Sequence, residues 1–236
     1  MHFLGIDGCR GGWLAAGTRD RKDWSLEFHP SLESLLLSLS LPYLALIDIP
    51  IGLPSKHPRS CDLQARKQLG PRCSSVFAPP CREAMRASNY REASRVNQEN
   101  LGRKISIQTW NICAKIRETD DLLLRRPEIK NHWREAHPEL TFQSMNGGRV
   151  LRHSKRTTAG REERLELLEI HFPPVRKWCV VVMEKFRRSG AGADNILDAL
   201  ALGMSAAELP GPLRPIPESP EKDSRGLPMR IWHPGR

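Results

Sequence analysis

Phe3-Leu-Gly-Ile-Asp-Gly-Cys-Arg-Gly-Gly-Trp13 is a short apolar run that ends on an aspartate and passes at once into a Gly-rich turn. Residues 2–7 have the continuous apolar character of a buried strand. Gly8, Gly11 and Gly12 mark a tight turn, and Trp13-Leu-Ala-Ala16 begins a second strand, so the two form a hairpin. Trp24-Ser-Leu-Glu-Phe28 alternates apolar and polar residues, the pattern of a half-buried third strand. Pro30-Ser31 then supplies a helix start, with Leu32, Leu35, Leu36 and Leu39 at helical spacing and Pro42 as the stop. Leu44-Ala-Leu-Ile-Asp-Ile49, bounded by prolines, reads as a fully buried central strand. The order strand, strand, strand, helix, strand predicts an α/β domain. Its mixed five-stranded sheet has three antiparallel strands followed by parallel ones, with aspartates ending the first and fourth.

The rest of the chain extends this frame. Residues 52–131 are polar and rich in Arg and Pro, and predict a mainly helical insertion over one edge of the sheet. Ile105, Ile112, Ile116 and Leu123 place a helix over 105–124 within it. A fifth strand is expected at 132–138, stopped by Pro138. Further helices are expected at 161–171, 175–188 and 193–209, the last strongly apolar. Residues 1–210 read as one domain. Beyond Pro210 the Pro-rich, charged segment 211–236 predicts a loose tail that could return as an edge strand at 227–232.

Hydrophobic residues make up 39% of the 236, and no run approaches the ~18 apolar residues of a membrane span, so no membrane partner is expected. No basic region precedes a long apolar stretch at the N-terminus, so no secretory signal is expected either. The six cysteines lack a C-x-x-C pair and read as reduced thiols of a cytoplasmic protein. His57, Cys61, Cys73 and Cys81 match no zinc-ligand spacing. A net charge of +10, from 37 Lys+Arg against 27 Asp+Glu, favours a polyanionic partner such as nucleic acid, although a merely basic enzyme surface has the same composition. With 2 Tyr and 6 Phe, a stacking platform for single strands has little material.

The candidate chemistry lies in the carboxylates. A carboxylate inside a buried apolar run is costly unless it is paired or binds a cation. Asp7 and Asp48 both sit in such runs, and adjacent parallel strands would bring their charges together. That arrangement suits a divalent cation; the bland alternative is that each Asp caps a turn. Asp194 and Asp198 are four residues apart at the start of the last helix, where Asp194 could be only a cap. Asp198 precedes Ala-Leu-Ala-Leu and needs a partner if it faces inward. Glu135 could complete the acidic cluster, whereas Glu139 reads as solvent-facing. The expected catalytic set is thus Asp7, Asp48, Glu135 and Asp198, and the expected metal ligands are Asp7, Asp48, Asp194 and Asp198. Mg²⁺ or Mn²⁺ there would activate water for phosphodiester cleavage. Arg10, Arg59, Arg66, Arg72 and Lys155 are candidates for substrate phosphates, though a solvated basic face is the usual explanation of such an arginine run and a flexible loop explains the Lys155 segment equally well.

The blocks Gly5-Ile-Asp-Gly-Cys-Arg-Gly-Gly-Trp13, Ile47-Asp-Ile-Pro-Ile-Gly-Leu-Pro54, Arg59-Ser-Cys-Asp62, Ser74-Ser-Val-Phe77, Ser106-Ile-Gln-Thr-Trp110, Glu135-Ala-His-Pro-Glu139, Lys155-Arg-Thr-Thr-Ala-Gly160 and Asp194-Asn-Ile-Leu-Asp-Ala199 occur in order. Together they resemble the DUF429 family over roughly residues 3–210. The resemblance implies a ribonuclease H-like fold and a predicted nuclease activity. The last block is also similar to the acidic helix of RuvC-type resolvases. In that likeness Asp7 matches the first-strand ligand and Asp198 the helix ligand, while Asn195 departs from the expected acidic pair. Two other classes share the fold. One is a non-catalytic nucleic-acid-binding or scaffold protein. The other is an actin-like ATP-binding phosphotransferase, which needs two such domains and an adenosine-binding segment that this sequence lacks.

Overall fold

The computed structural model describes residues 1–187 and 190–235. Strands β1 (His2–Cys9), β2 (Gly12–Thr18) and β3 (Ser25–His29) are followed by helix α1 (Leu32–Ser38) and strand β4 (Tyr43–Ile47). Helices α2 (Ser60–Leu69), α3 (Tyr90–Leu101) and α4 (Ile107–Arg125) come next, then β5 (Trp133–Glu135) and helices α5 (Pro138–Met145), α6 (Thr158–Glu169), α7 (Val175–Lys185) and α8 (Ala193–Ala206). Strands β6 (Leu213–Ile216) and β7 (Ile231–Pro234) close the chain. The main sheet has the order β3-β2-β1-β4-β5. Its first two pairings, β1–β2 and β2–β3, are antiparallel, and β1–β4 and β4–β5 are parallel. This is an α/β protein on a mixed five-stranded sheet. Among the described residues no helix is long and apolar enough to cross a membrane.

Side chains alternate across a sheet, and here both faces are covered. Leu4, Ile6, Trp13, Ala45 and Ile47 pack with α1 and with Cys113, Ile116, Leu122 and Leu123 of α4. Leu14, Ala16 and Leu26 meet α8 on the opposite face, backed by residues of α5, α6 and α7. Helix α8 is buried from Ile196 to Ala206, which explains its apolar character all round. It lies so close to β1 that a Cβ on Gly5 would stand 2.0 Å from the Gly203 nitrogen and 2.1 Å from the Ala199 carbonyl oxygen. Only glycine permits that approach.

Several expectations are corrected. The insertion supplies α2, α3 and α4, but α4 covers a sheet face rather than an edge, because the α1 side of the sheet is too apolar to be left to one short helix. Helix α2 escapes the apolar periodicity because its buried positions include Asp62 beside Cys61, Ala65 and Leu69. Pro138 stops β5 and also opens α5, where a proline at the first helical position costs no hydrogen bond. The described part of the helix expected at 175–188 ends at Lys185, and Arg188 lies outside the described residues.

The segment expected as a loose tail is ordered. β6 and β7 pair antiparallel, and the returning strand expected at 227–232 lies at Ile231–Pro234. A single bridge joins Trp232 to Ala136 at the β5 end of the main sheet. Leu227, Met229 and Ile231 are buried, and Asp223 takes the Leu53 N–H at 3.0 Å and the Arg82 guanidinium. A few apolar side chains and one buried carboxylate anchor a segment whose overall composition is polar.

Candidate active site

Parallel pairing places the first two carboxylates side by side. Ile6 lies opposite Ile47, and the Asp48 N–H donates to the Ile6 carbonyl at 3.0 Å, so Asp7 and Asp48 follow together at the carboxyl ends of β1 and β4. Both share a sheet face with α8 by alternation from Gly5 and Leu46. The close approach at Gly5 brings the first turns of α8 up to them. There Asn195 Nδ2 donates to Asp7 Oδ2 at 2.8 Å and to the Gly8 carbonyl at 3.2 Å. Asn195 Oδ1 accepts the Gly192 N–H at 3.0 Å, which fixes the side chain.

Asp198 lies one turn further along α8 and accepts from Lys155 Nζ at 2.6 Å. Lys155 is placed by its own loop. Thr157 caps α6 by accepting the Gly160 N–H at 3.0 Å and donates to the Ser154 carbonyl at 2.8 Å. A Cβ on Gly160 would meet that same carbonyl oxygen at 2.0 Å. The block Lys155-Arg-Thr-Thr-Ala-Gly160 is therefore a tight loop that presents an ammonium to the acidic cluster.

Burial raises the Asp7 carboxyl well above the usual carboxylate range, and the charges of Asp48 and Asp198 raise it further, against the Asn195 hydrogen bond. Burial and Asp198 push Asp48 up to about 7, with Lys155 acting in the opposite sense. Lys155 is raised, its carboxylate neighbours outweighing burial. Among the described residues the Asp48 carboxylate has no hydrogen-bond or ion-pair partner. It opens onto a cleft of about 480 Å³ whose wall also includes Asp7, Arg72, His137, Lys155 and Arg156. His137 caps α5: Nδ1 accepts the Glu139 N–H at 3.2 Å and Nε2 lies 3.1 Å from the Ser75 carbonyl, which assigns the proton to Nε2. Burial lowers its pKa, so the ring is neutral.

Other expected site residues are engaged differently. Glu135 pairs in register with Ile47, on the face away from Asp48. Its oxygens accept from Arg59 Nη2 at 2.7 Å, Arg59 Nη1 at 2.8 Å and the Ile51 N–H at 2.7 Å, so they are committed there, although Glu135 and Arg59 line the same cleft as Asp7 and Asp48. Arg59 is 1% exposed and also binds Asp62 at 2.5 and 3.0 Å, which leaves no N–H for a substrate. Arg66 clamps the Val76 carbonyl through Nε and Nη2. Arg72 holds the Leu151 and Arg152 carbonyls at 3.1 and 2.6 Å but borders the cleft. Arg10 is exposed on the β1–β2 turn beside Gly190, outside the cleft wall. Asp194 is half-buried in the first turn of α8, and it is Asn195 rather than Asp194 that reaches Asp7. Glu139, expected to face solvent, is buried against Arg164.

The role of Asn195 was missed in the sequence because an amide beside Asp194 looked like a lost ligand. Its position three residues after Gly192, as a side-chain cap, is the local signal for it. Carboxylates are the donors that hard divalent cations take. Among the described residues, however, no three His, Cys, Asp or Glu side chains form a group that could cage an ion. Lys155 supplies the positive charge on Asp198.

Fold and site together define an α/β protein with an acidic cluster near the carboxyl ends of two parallel strands, in a cleft lined by both carboxylates and cations. The model of DUF429, a protein family of unknown function, matches residues 5–222, and the chain belongs to that family. No curated protein and no solved structure matches the chain.

Proposed function

We propose that this protein is a divalent-metal-dependent nuclease of ribonuclease H-like fold that hydrolyses phosphodiester bonds at the Asp7–Asp48–Asp198 cluster. One observation carries the reading: Asp48 is a carboxylate with no protein partner, lining the cleft, in the field of two others. Such an arrangement is stabilised by a cation, and Asp7 and Asp48 are the pair left to hold Mg²⁺ or Mn²⁺ while Lys155 serves Asp198. A bound ion would supply an activated water and a stabilised leaving oxygen. Lys155, Arg156 and Arg72 on the same wall suit a phosphate, and the net charge of +10 suits a nucleic-acid partner. Six unpaired cysteines suit a reducing cytoplasm.

The Lys155–Asp198 ion pair favours a second reading, in which the cluster is neutralised without metal and the protein binds nucleic acid without cutting it. Nuclease assays with Mg²⁺ or Mn²⁺ separate the two. Cleavage is expected only with metal, falling at least ~100-fold in Asp7→Asn and Asp48→Asn. Cleavage that survives Asp7→Asn unchanged overturns the site. Binding of nucleic acid without cleavage under any metal establishes the second reading.

A further inference from the structure

A second cavity lies at β5, where Glu135 borders both it and the first cleft. It holds about 290 Å³ and has an apolar floor that includes Leu227. Lys130, Arg134, Arg230 and Trp232 form its polar wall. The guanidinium carbons of Arg134 and Arg230 stand 4.1 and 4.7 Å from the centre of the same Trp232 ring. Trp232 is positioned by β7 and its bridge to Ala136, and Arg134 by the middle of β5, while Arg230 stands one residue before β7. Among the described residues no carboxylate or carbonyl lies within bonding distance of either guanidinium or of the Lys130 ammonium. Glu135 borders the cavity, but its oxygens are committed to Arg59 and the Ile51 N–H. Burial lowers the Arg134 pKa, the Arg230 charge lowers it further, and Glu208 acts in the opposite sense. Two half-buried guanidiniums held together without a bonded counter-ion are a cost to the fold that an anionic ligand would relieve. Stacking on one ring also removes much of the side-chain freedom that binding would otherwise have to freeze.

We infer that Lys130, Arg134 and Arg230 form a second site that takes the phosphodiester backbone of nucleic acid, holding the substrate away from the point of cleavage. The choice of nucleic acid rests on the proposed nuclease reading; the anion-binding chemistry does not. The test is fluorescence anisotropy of a short labelled DNA duplex titrated with the full chain in EDTA, at several salt concentrations. Because no metal is present, the measurement is independent of cleavage, and failure of the nuclease reading leaves it intact. The double variant Arg134→Gln/Arg230→Gln is expected to bind roughly 10-fold more weakly, with a slope of log K against log salt shallower by about two. Lys130→Gln leaves the Trp232 stack in place and is expected to reduce the slope by about one, so the test survives if the double variant does not fold. Unchanged affinity and slope in Lys130→Gln and in the folded double variant overturn the inference. So does a wild-type chain that does not bind the duplex.

Discussion

Asp48 keeps its proton to about pH 7 because burial and the charge of Asp198 both disfavour the anion, and this has a defined effect on stability. The folded protein binds the proton more tightly than the unfolded chain, so the stabilising contribution is complete below the ordinary carboxylate pKa. It fades as pH rises and is gone above about 7. Each tenfold difference in proton affinity is worth about 1.4 kcal/mol, and solvent in the open cleft screens part of it. Asp48→Asn is therefore expected to stabilise the protein by roughly 1–2 kcal/mol at pH 8 and by much less at pH 4. Urea titrations at the two pH values check the sign; a variant equally stable or weaker at pH 8 contradicts it. Mn²⁺ added to the wild type at pH 8 is expected to raise its melting temperature and to do little for Asp48→Asn.

At the scale of elements, the site depends on how closely α8 approaches β1. Gly5→Ala puts a methyl group onto the backbone of Ala199 and Gly203, and the helix must retreat. The expected loss is about 2–3 kcal/mol, the cost of overpacking, and the retreat also draws Asn195 from Asp7 and Asp198 from Lys155. Thermal melting reads the first effect, and metal-dependent cleavage, expected to fall with it, reads the second. The connection from β4 to α2 is held to β5 by Arg59 in the same way. Arg59→Met would leave Asp62 and Glu135 buried without their cation, at an expected cost of about 3–5 kcal/mol in denaturant titrations.

Over the whole molecule, the C-terminal segment acts as a clasp. Asp223 joins the β4–α2 connection through the Leu53 N–H to the insertion through Arg82, which also holds Asp120 of α4. Burial pushes the Asp223 carboxyl up, but the Leu53 N–H, Arg82 and two further N–H donors outweigh it and hold it below the usual range. Its stabilisation is therefore present at neutral pH and lost as pH falls through that lowered value. Asp223→Ala is expected to cost about 3 kcal/mol at pH 7, since it leaves buried N–H groups without their acceptor and Arg82 with Asp120 alone. Limited proteolysis should then cut first between 211 and 230; equal protease resistance of variant and wild type would show that the segment is held by its apolar contacts alone.

The sequence by itself determined the succession of the first strands along the chain and the fact that Asp7 and Asp48 lie near the ends of two of them, although β1 runs on through Gly8 to Cys9. That information is local: apolar runs, glycine turns and proline stops act over a few residues. It also marked Asp198, because an aspartate within an apolar helix is anomalous wherever the helix packs. The tertiary structure alone decided which charges meet. Glu135 and Arg59, read as site residues, border the cleft but neutralise each other, because β5 brings Glu135 against Arg59. Lys155, read as a phosphate contact, reaches Asp198 from 43 residues away. Asn195, read as a missing ligand, holds Asp7. The final residues became an anchored clasp for the same reason. Charge pairing and burial depend on distances through space, and a chain fixes those only once β1, β4 and α8 have packed together.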